Sequence, residues 1–234
     1  MTTNADLTSH YRDLRHRCSE LGRSLTAEQA ATMSPCCPAW SVKDLFAHLV
    51  GVPADALAGN MEEAGTDAWA DAQVQLRSND SLVEILDEWD AVGPEMETLL
   101  EAAALDIDPR FFLDCWTHEW DIRQALGLTA EPDMSLPDHV LARSVEMLTQ
   151  RTAEQGFDPI TLVFATADGT ERLHVGDPSS EPVGEVPVSS FEYFRMLVGR
   201  RSPAQIAALS PAANPDQLVV FSPAATDIID PLLR

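Results

Sequence analysis

Two stretches of the sequence place a carboxylate and an imidazole at the i, i+4 spacing of one helical turn. Asp114 and His118 have this spacing, and Asp121 follows at i+7, so a helix would put all three on one face. Asp44 and His48 repeat the pattern in an earlier segment. Carboxylates and imidazoles bind divalent cations and also move protons. The repeated pattern favours a site shared by two helices.

His48, Asp114 and His118 are the candidate ligands of one divalent metal ion. Two imidazoles and one carboxylate are a donor set of catalytic zinc sites, which keep a fourth position open for water or a thiolate. Asp121 would then orient an imidazole together with Asp44, or accept a proton near the substrate. The alternative is that Asp114 and His118 form a helix-surface pair and His48 is a core histidine, because this spacing also arises by chance.

Helices must position these residues, and the apolar periodicity predicts them. The pattern predicts a bundle of about four long helices and one shorter one, with a loop and one short helix between Asn60 and Asn79. Asp108 and Pro109 open the helix that carries Asp114, and Gly127 closes it. These predicted helices cover residues 6–21, 42–51, 81–103, 110–126 and 136–152, of which 42–51 is the shortest.

The pattern changes after Gly156. A β-rich segment, a hairpin signal at Asp168 and Gly169 and a return strand are followed by helices and a further strand. These strands cover residues 160–166, 171–176 and 218–221, with helices at 188–200 and 204–209. The sequence therefore predicts a helical domain over residues 1–155 and a small α+β domain over residues 156–234.

Composition limits the classes of partner. The 234 residues carry a formal net charge of −23, which opposes binding to nucleic acid and to anionic membrane surfaces. The first residues lack the features of a signal peptide, and no run has the length of a membrane span, so a cytoplasmic location is expected. We expect a small-molecule substrate and a monomer or homodimer. The four cysteines lack a disulfide or zinc-knuckle spacing, and reduced thiols are the default.

Other residues are weaker candidates for a site. Cys36 and Cys37 have no neighbouring base in the sequence, which favours a structural role over a nucleophilic one. Trp40 would line a ligand cavity or pack in the core. The basic pair Arg200 and Arg201 would clamp a carboxylate or complete a helix C-terminus.

Two motifs resemble a known family. Residues 37–51 read C-P-A-W-S-V-K-D-L-F-A-H-L-V-G and resemble the C-P-x-W-S/T-V-R/K-D-L-x-A-H-L-x-G segment of the mycothiol-dependent maleylpyruvate isomerase family. Residues 114–127 resemble that family's E-x3-H-x2-D-x4-LG helix, and residues 191–202 are similar to its C-terminal domain. The resemblance implies an up-down four-helix bundle of the DinB-like type, followed by a sterol-carrier-like α+β domain.

The resemblance also implies roles for individual residues. His48, Asp114 and His118 match the zinc ligands, and Asp121 matches the acidic residue beside the metal. Asp114 departs from the pattern, which usually has Glu, so the identity of the metal is left open. An arginine of the second domain contributes to the isomerase site, and its nearest match here is Arg200 or Arg201. Two further residues, Trp40 and Arg77, are expected to contact the cofactor, with Arg77 placed there by its position alone.

The resemblance implies an enzyme that depends on zinc or another divalent metal and uses mycothiol for isomerisation or S-transfer on a small, electrophilic, anionic substrate. A metal-bound thiol would have a lowered pKa and would be held as a thiolate at neutral pH. The alternative function is a non-catalytic metal-binding sensor or regulatory protein, with a closed site. A third possibility is a degenerate member of the family that binds no metal.

Overall fold

A computed structural model describes residues 2–131, 138–166, 169–209, 213–220 and 224–232. Contacts group these residues into two compact units, one that ends at Thr129 and one that contains Ala130 and the described residues from Asp138 onward. Nine α-helices and three strands lie in the described ranges. None of the helices described combines the length and apolar character needed to cross a bilayer.

Four long helices form the first unit. They are α1 (Asn4–Ser24), α3 (Val42–Ala58), α5 (Leu82–Ala103) and α6 (Arg110–Leu126). The short helices α2 (Ala27–Ala30) and α4 (Asp67–Leu76) lie in the connections. Helix α5 packs against both α1 and α3, and α6 packs against α3. The helical bundle predicted from the periodicity is therefore confirmed.

Capping residues set where the bundle helices begin and end. Ser41 accepts a hydrogen bond from the backbone N–H of Asp44, and the Asp44 carboxylate accepts one from the backbone N–H of Ser41. This capping box satisfies backbone donors that have no partner within α3. Helix α6 ends at Gly127, whose φ of 63° lies in the left-handed region that glycine adopts without steric cost.

Helix α3 is longer than the sequence predicts. The sequence predicts an end near Gly51, but the helix continues through Pro53 to Ala58. The extension adds two turns and places Asp55 at i+7 from His48, on the same face of the helix.

Large apolar side chains fill the core of this unit. Trp89, Trp116 and Trp120 are among the largest side chains that are fully buried. Cys115, about 100° around α6 from Asp114, is also buried. The packing of Trp116 and Trp120 on the far side of α6 holds the face with Asp114 and His118 in a fixed orientation.

The second unit is an α+β structure, as predicted. Strand β1 (Ile160–Thr166) pairs antiparallel with β2 (Gly169–Val175) and parallel with β3 (Glu185–Pro187), in the order β2-β1-β3. The helices are α7 (Asp138–Gln155), α8 (Ser190–Leu197) and α9 (Pro203–Leu209). Helix α7 packs on β2, so its contacts lie in this unit, whereas the sequence division at 155 and 156 assigned it to the bundle.

Two local predictions in this unit are wrong. Strand β3 is missing from the predicted strands, because three residues are too short to show alternation. The predicted strand at 218–221 is absent over its described part, since Leu218 ends a 3-10 helix (Pro215–Leu218) and residues 219 and 220 are irregular. Phe221, Asp168 of the predicted hairpin and the first residues of the predicted 136–152 helix lie outside the described residues.

Candidate metal centre

Helices α3 and α6 bring both histidines to one carboxylate. Asp114 Oδ2 lies 3.3 Å from His48 Nε2, and Asp114 Oδ1 lies 3.5 Å from His118 Nε2. The two imidazole rings are nearly perpendicular, with centroids 5.1 Å apart. Their three ligand atoms all lie within 4.8 Å of one another, so one cation could contact all three. The geometry thus joins the two separate sequence motifs.

The side chain of Gln73 orients His48 through Nδ1, the ring nitrogen that does not face Asp114. Gln73 Oε1 lies 2.7 Å from His48 Nδ1, and Gln73 Nε2 donates to Asp55 Oδ2 at 2.7 Å. Because the amide nitrogen is engaged by Asp55, the amide oxygen is the group that faces the imidazole and accepts its Nδ1 proton. Both Gln73 and His48 are buried.

The carboxylate of Asp121 orients the second imidazole, that of His118, in the same way. Asp121 Oδ2 lies 3.0 Å from His118 Nδ1, and Asp121 is fully buried. With Nδ1 donating to Asp121, Nε2 of His118 faces Asp114. The two imidazoles therefore present the same nitrogen to the centre, each fixed by an acceptor on its far side. This arrangement fits a divalent metal ion, because metal-ligating histidines are oriented in this way.

The charges at the centre reinforce one another. Burial alone would raise the pKa of Asp114, but the adjacent His48 and His118 hold it well below its usual range. Burial alone would lower the pKa of His118, but the charge of Asp114 and hydrogen bonds with Asp114, Asp121 and Cys37 raise it well above its usual range. The centre therefore stabilises positive charge, which a divalent cation would supply.

One side of the centre is open to solvent. Asp114 keeps 32% of its side-chain surface exposed, while His48 and His118 are buried. The half-buried indole of Trp40 lies beside both imidazoles, with centroids 5.2 Å from His48 and 6.2 Å from His118. Trp69 approaches His48 edge-on at 6.3 Å. A small molecule that reaches Asp114 would therefore meet an aromatic wall.

Arg77 and Asp44 have structural partners. Arg77 is buried and makes two hydrogen bonds to the Glu88 carboxylate, at 2.7 and 2.5 Å, and one to the backbone oxygen of Gln73 at 3.2 Å. These contacts attach α4 to α5 and hold Gln73 in place. Asp44 belongs to the cap of α3, and its described partner is Ser41. The expectation that Asp44 orients an imidazole is therefore wrong, and Gln73 takes that role at His48.

The predicted basic pair lies in the second unit. Arg201 is buried and ion-paired with Glu192 and with Asp230, the latter at 2.9 Å. Arg200 is half-buried and donates to the backbone oxygen of Val198 at 2.8 Å. These contacts stabilise the turn after α8. A part in the site for Arg200 or Arg201 stays a prediction.

Three residues at the centre were missed or undervalued in the sequence. Gln73 lies on a short helix with weak periodicity, and no motif marks it. Asp55 lies at i+7 from His48. This spacing would have placed Asp55 on the His48 face if the predicted helix had been extended past Pro53. The sequence favours a structural role for Cys37, but its sulfur lies 3.9 Å from Asp121 Oδ2.

Residues 11–123 match the family model described as the mycothiol maleylpyruvate isomerase N-terminal domain. This segment of the chain belongs to that domain family. The match includes His48, Asp114, His118 and Asp121, and it confirms the resemblance drawn from the two motifs. The candidate metal centre described above therefore lies entirely within the segment that matches this domain model.

One solved structure is also similar to the chain. It is the crystal structure of a histidine-to-alanine mutant of the mycothiol-dependent maleylpyruvate isomerase, with 16% sequence identity and a TM-score of 0.43. The alignment covers 86% of this chain and 92% of that chain. No curated protein matches the sequence.

Proposed function

We propose that this protein is an enzyme that uses mycothiol, a low-molecular-weight thiol, to isomerise or S-conjugate a small electrophilic substrate. His48, Asp114 and His118 would hold a divalent metal ion, with zinc the first candidate. The family description of residues 11–123 supports the thiol and the isomerase class. The substrate class, small and anionic, rests on the resemblance alone.

One observation carries the proposal. His48 and His118 come from different helices, yet each has its Nδ1 engaged by a buried acceptor and its Nε2 directed at Asp114. A surface pair or an isolated core histidine would not need this paired orientation. Convergent imidazole lone pairs beside a carboxylate are what a metal centre with N and O ligands requires.

The chain supplies binding, orientation and partial exclusion of water. A metal ion held by these ligands would lower the pKa of a bound thiol and keep it as a thiolate at neutral pH. Trp40 would cover one side of the thiol, and the exposed side of Asp114 marks the direction of entry. Asp121 fixes His118 and is the proposed acidic group beside the metal. Arg200 and Arg201 remain proposed anion-binding groups, and Arg77 remains a proposed contact of the cofactor. The ion pairs of Arg77 and Arg201 favour structural roles.

Metal analysis of the purified protein tests the ligand set. We expect about one divalent ion per chain, and loss of most of it in His48→Ala and in His118→Ala. His174→Ala, in the second unit, is the matched control and should retain the wild-type content. Retention of the full amount by both site variants would overturn the assignment of ligands.

Calorimetry with mycothiol separates the enzyme from the alternative of a metal-binding sensor. An enzyme of the proposed type should bind mycothiol in the metal-loaded form and lose that binding when the metal is removed. A sensor with a closed site should bind metal and give no heat with mycothiol. That result would leave the metal centre in place and overturn the thiol-dependent activity.

A further inference from the structure

A second cluster of potential ligands lies on the far side of His118. Cys37 Sγ is 3.9 Å from Asp121 Oδ2, and Asp121 Oδ2 is 3.0 Å from His118 Nδ1. One ligand atom from each of the three side chains lies within 4.8 Å of the others. Asp121 is fully buried and His118 nearly so, whereas Cys37 is half-buried at the surface end of the cluster.

We propose that Cys37, Asp121 and His118 form a second cation position, selective for thiophilic ions such as Cd²⁺. A thiolate is the softest ligand that a protein offers, and it favours soft and borderline ions over Mg²⁺ or Ca²⁺. The first position, formed by the cluster of His48, Asp114 and His118 (the His48 cluster), contains only nitrogen and oxygen donors. The two positions therefore differ in the ions that they prefer. The inference depends on the side chains of this cluster and not on the thiol-dependent activity proposed above.

The two positions share one imidazole through its opposite nitrogens. In the first position His118 uses Nε2 and keeps its Nδ1 proton, which it donates to Asp121. An ion in the second position needs the Nδ1 lone pair, so that proton must leave, and the Cys37 thiol must also lose its proton. A neutral imidazole can ligate through only one nitrogen at a time. Filling the second position therefore weakens the first.

The loop before α3 delivers Cys37 to this position. Ser34 Oγ accepts a hydrogen bond from the Cys37 backbone N–H at 3.3 Å, and Cys37 O accepts one from the Trp40 backbone N–H at 2.9 Å. Cys36, the next residue, has its sulfur 3.9 Å from Gln124 Oε1, an amide with no place in the cluster. Cys36 is therefore a matched control for Cys37, with the same chemistry and similar exposure.

Cobalt absorption spectroscopy tests the proposal directly. Co²⁺ added to the metal-free protein should give a thiolate-to-cobalt charge-transfer band in the near ultraviolet. Cys36→Ser should keep the band, and Cys37→Ser should lose it. Asp121→Asn should weaken Co²⁺ binding at this position by about tenfold or more. Absence of the band from the wild type, or its survival in Cys37→Ser, would overturn the second position.

His48→Ala shows whether there are two positions or one. If Cys37 belongs to a separate position, this variant keeps the charge-transfer band while it loses affinity at the first position. If Cys37 instead completes the first position, the band disappears with His48. That second outcome would overturn the proposal and would show a closed metal site.

The rate of thiol alkylation gives a second measurement that does not depend on the cobalt absorption band. Cd²⁺ should slow the modification of Cys37 by iodoacetamide about tenfold or more, because a metal-bound sulfur is a poorer nucleophile, and should leave the rate at Cys36 nearly unchanged. Peptide mass spectrometry distinguishes the two adjacent sites through the Ser variants. Equal protection of Cys36 and Cys37, or none, would contradict a specific position at Cys37.

Discussion

Asp114 Oδ2 lies 3.3 Å from His48 Nε2 and thereby joins helix α6 to helix α3. The same carboxylate reaches His118 through its other oxygen. Asp114 is therefore the only residue of the His48 cluster that contacts both of the other members among the described hydrogen bonds and ion pairs. Asp114 thus links the two imidazoles of the proposed metal centre.

Substitutions at Asp114 should show whether the charge or the shape of this side chain determines the metal affinity. Asp114→Asn keeps the shape but removes the negative charge, so we expect metal affinity to fall by more than about 100-fold, beyond the loss typical of residues behind the ligands. Asp114→Glu restores a carboxylate and matches the residue usual in the family, so it should retain binding. Asp106→Asn, at an exposed aspartate of the same unit, is the control. Competition with a chelating dye measures the affinity, and unchanged binding by Asp114→Asn would exclude Asp114 as a ligand.

Gln73 should control the affinity without touching the metal. Gln73→Leu removes the acceptor for His48 Nδ1 at nearly constant volume, so the imidazole is no longer held with Nε2 towards Asp114. Loss of such an orienting partner typically costs 10- to 100-fold in metal affinity, and we expect about that loss here. Gln75→Leu, on the exposed face of the same helix, is the matched control. Equal affinities for the two variants would show that Gln73 does not orient His48.

The ligands of the proposed centre could be predicted from the sequence, but the residues behind them could not. His48, Asp114 and His118 stand out because helical spacing is a local property. Gln73 reaches His48 from a different helix, and only the packing of α3 against α4 brings them together. Asp44 has the expected spacing from His48, but its carboxylate is engaged in the capping box with Ser41, which lies only three residues away in the chain. Spacing identified candidates, and competition between local and tertiary partners decided their roles.

The same limit applies to the fold. Apolar periodicity predicts the long helices of the bundle because each buries one continuous face. It fails at Pro53, where tertiary packing on α4 and α5 maintains a helix through a residue that disfavours it. It also fails at β3, whose pairing with β1 depends on a partner distant in the sequence.

Gly51 should be intolerant of even a methyl group. A Cβ at this position would lie 2.5 Å from Gln73 Cβ and 2.6 Å from its Cγ, closer than packed carbons allow. Gly→Ala inside a helix normally stabilises by about 1 kcal/mol. Here we expect Gly51→Ala to destabilise the protein by about 1 to 3 kcal/mol through overpacking, and to weaken metal binding by displacing Gln73.

A second substitution tests the cause of this effect. Gly51→Ala combined with Gln73→Gly removes the atoms that clash, so the double variant should recover part of the stability that the single variant loses, without recovering metal affinity. Urea denaturation at a fixed pH measures the stability. Stabilisation by Gly51→Ala alone would show that α4 can move away from α3 at little cost.

Glu97 should make the stability of the bundle sensitive to acid. Arg12 Nε donates to Glu97 Oε2 at 2.6 Å, and Arg15 Nη2 donates to Glu97 Oε1 at 2.9 Å. Burial would raise the pKa of Glu97, but the two arginines hold it below its ordinary value of 4.5. Because the pKa is lowered in the folded state, the contribution is present above the unfolded pKa and is lost as the pH falls through the folded value.

Glu97→Gln measures that contribution. The variant replaces the carboxylate beside the buried Arg15 with a neutral amide and leaves the longer contact of Arg15 with Asp90, at 3.4 Å. We therefore expect a loss of about 1 to 3 kcal/mol at neutral pH. The difference from wild type should shrink as the pH falls below about 4.5, because the native carboxyl group then also becomes neutral. Glu101→Gln is the control, since Glu101 is 62% exposed and 3.9 Å from Arg12, and it should change stability by less than about 1 kcal/mol. A difference between Glu97→Gln and wild type that stays constant into the acid range would show that the carboxylate charge does not stabilise the bundle.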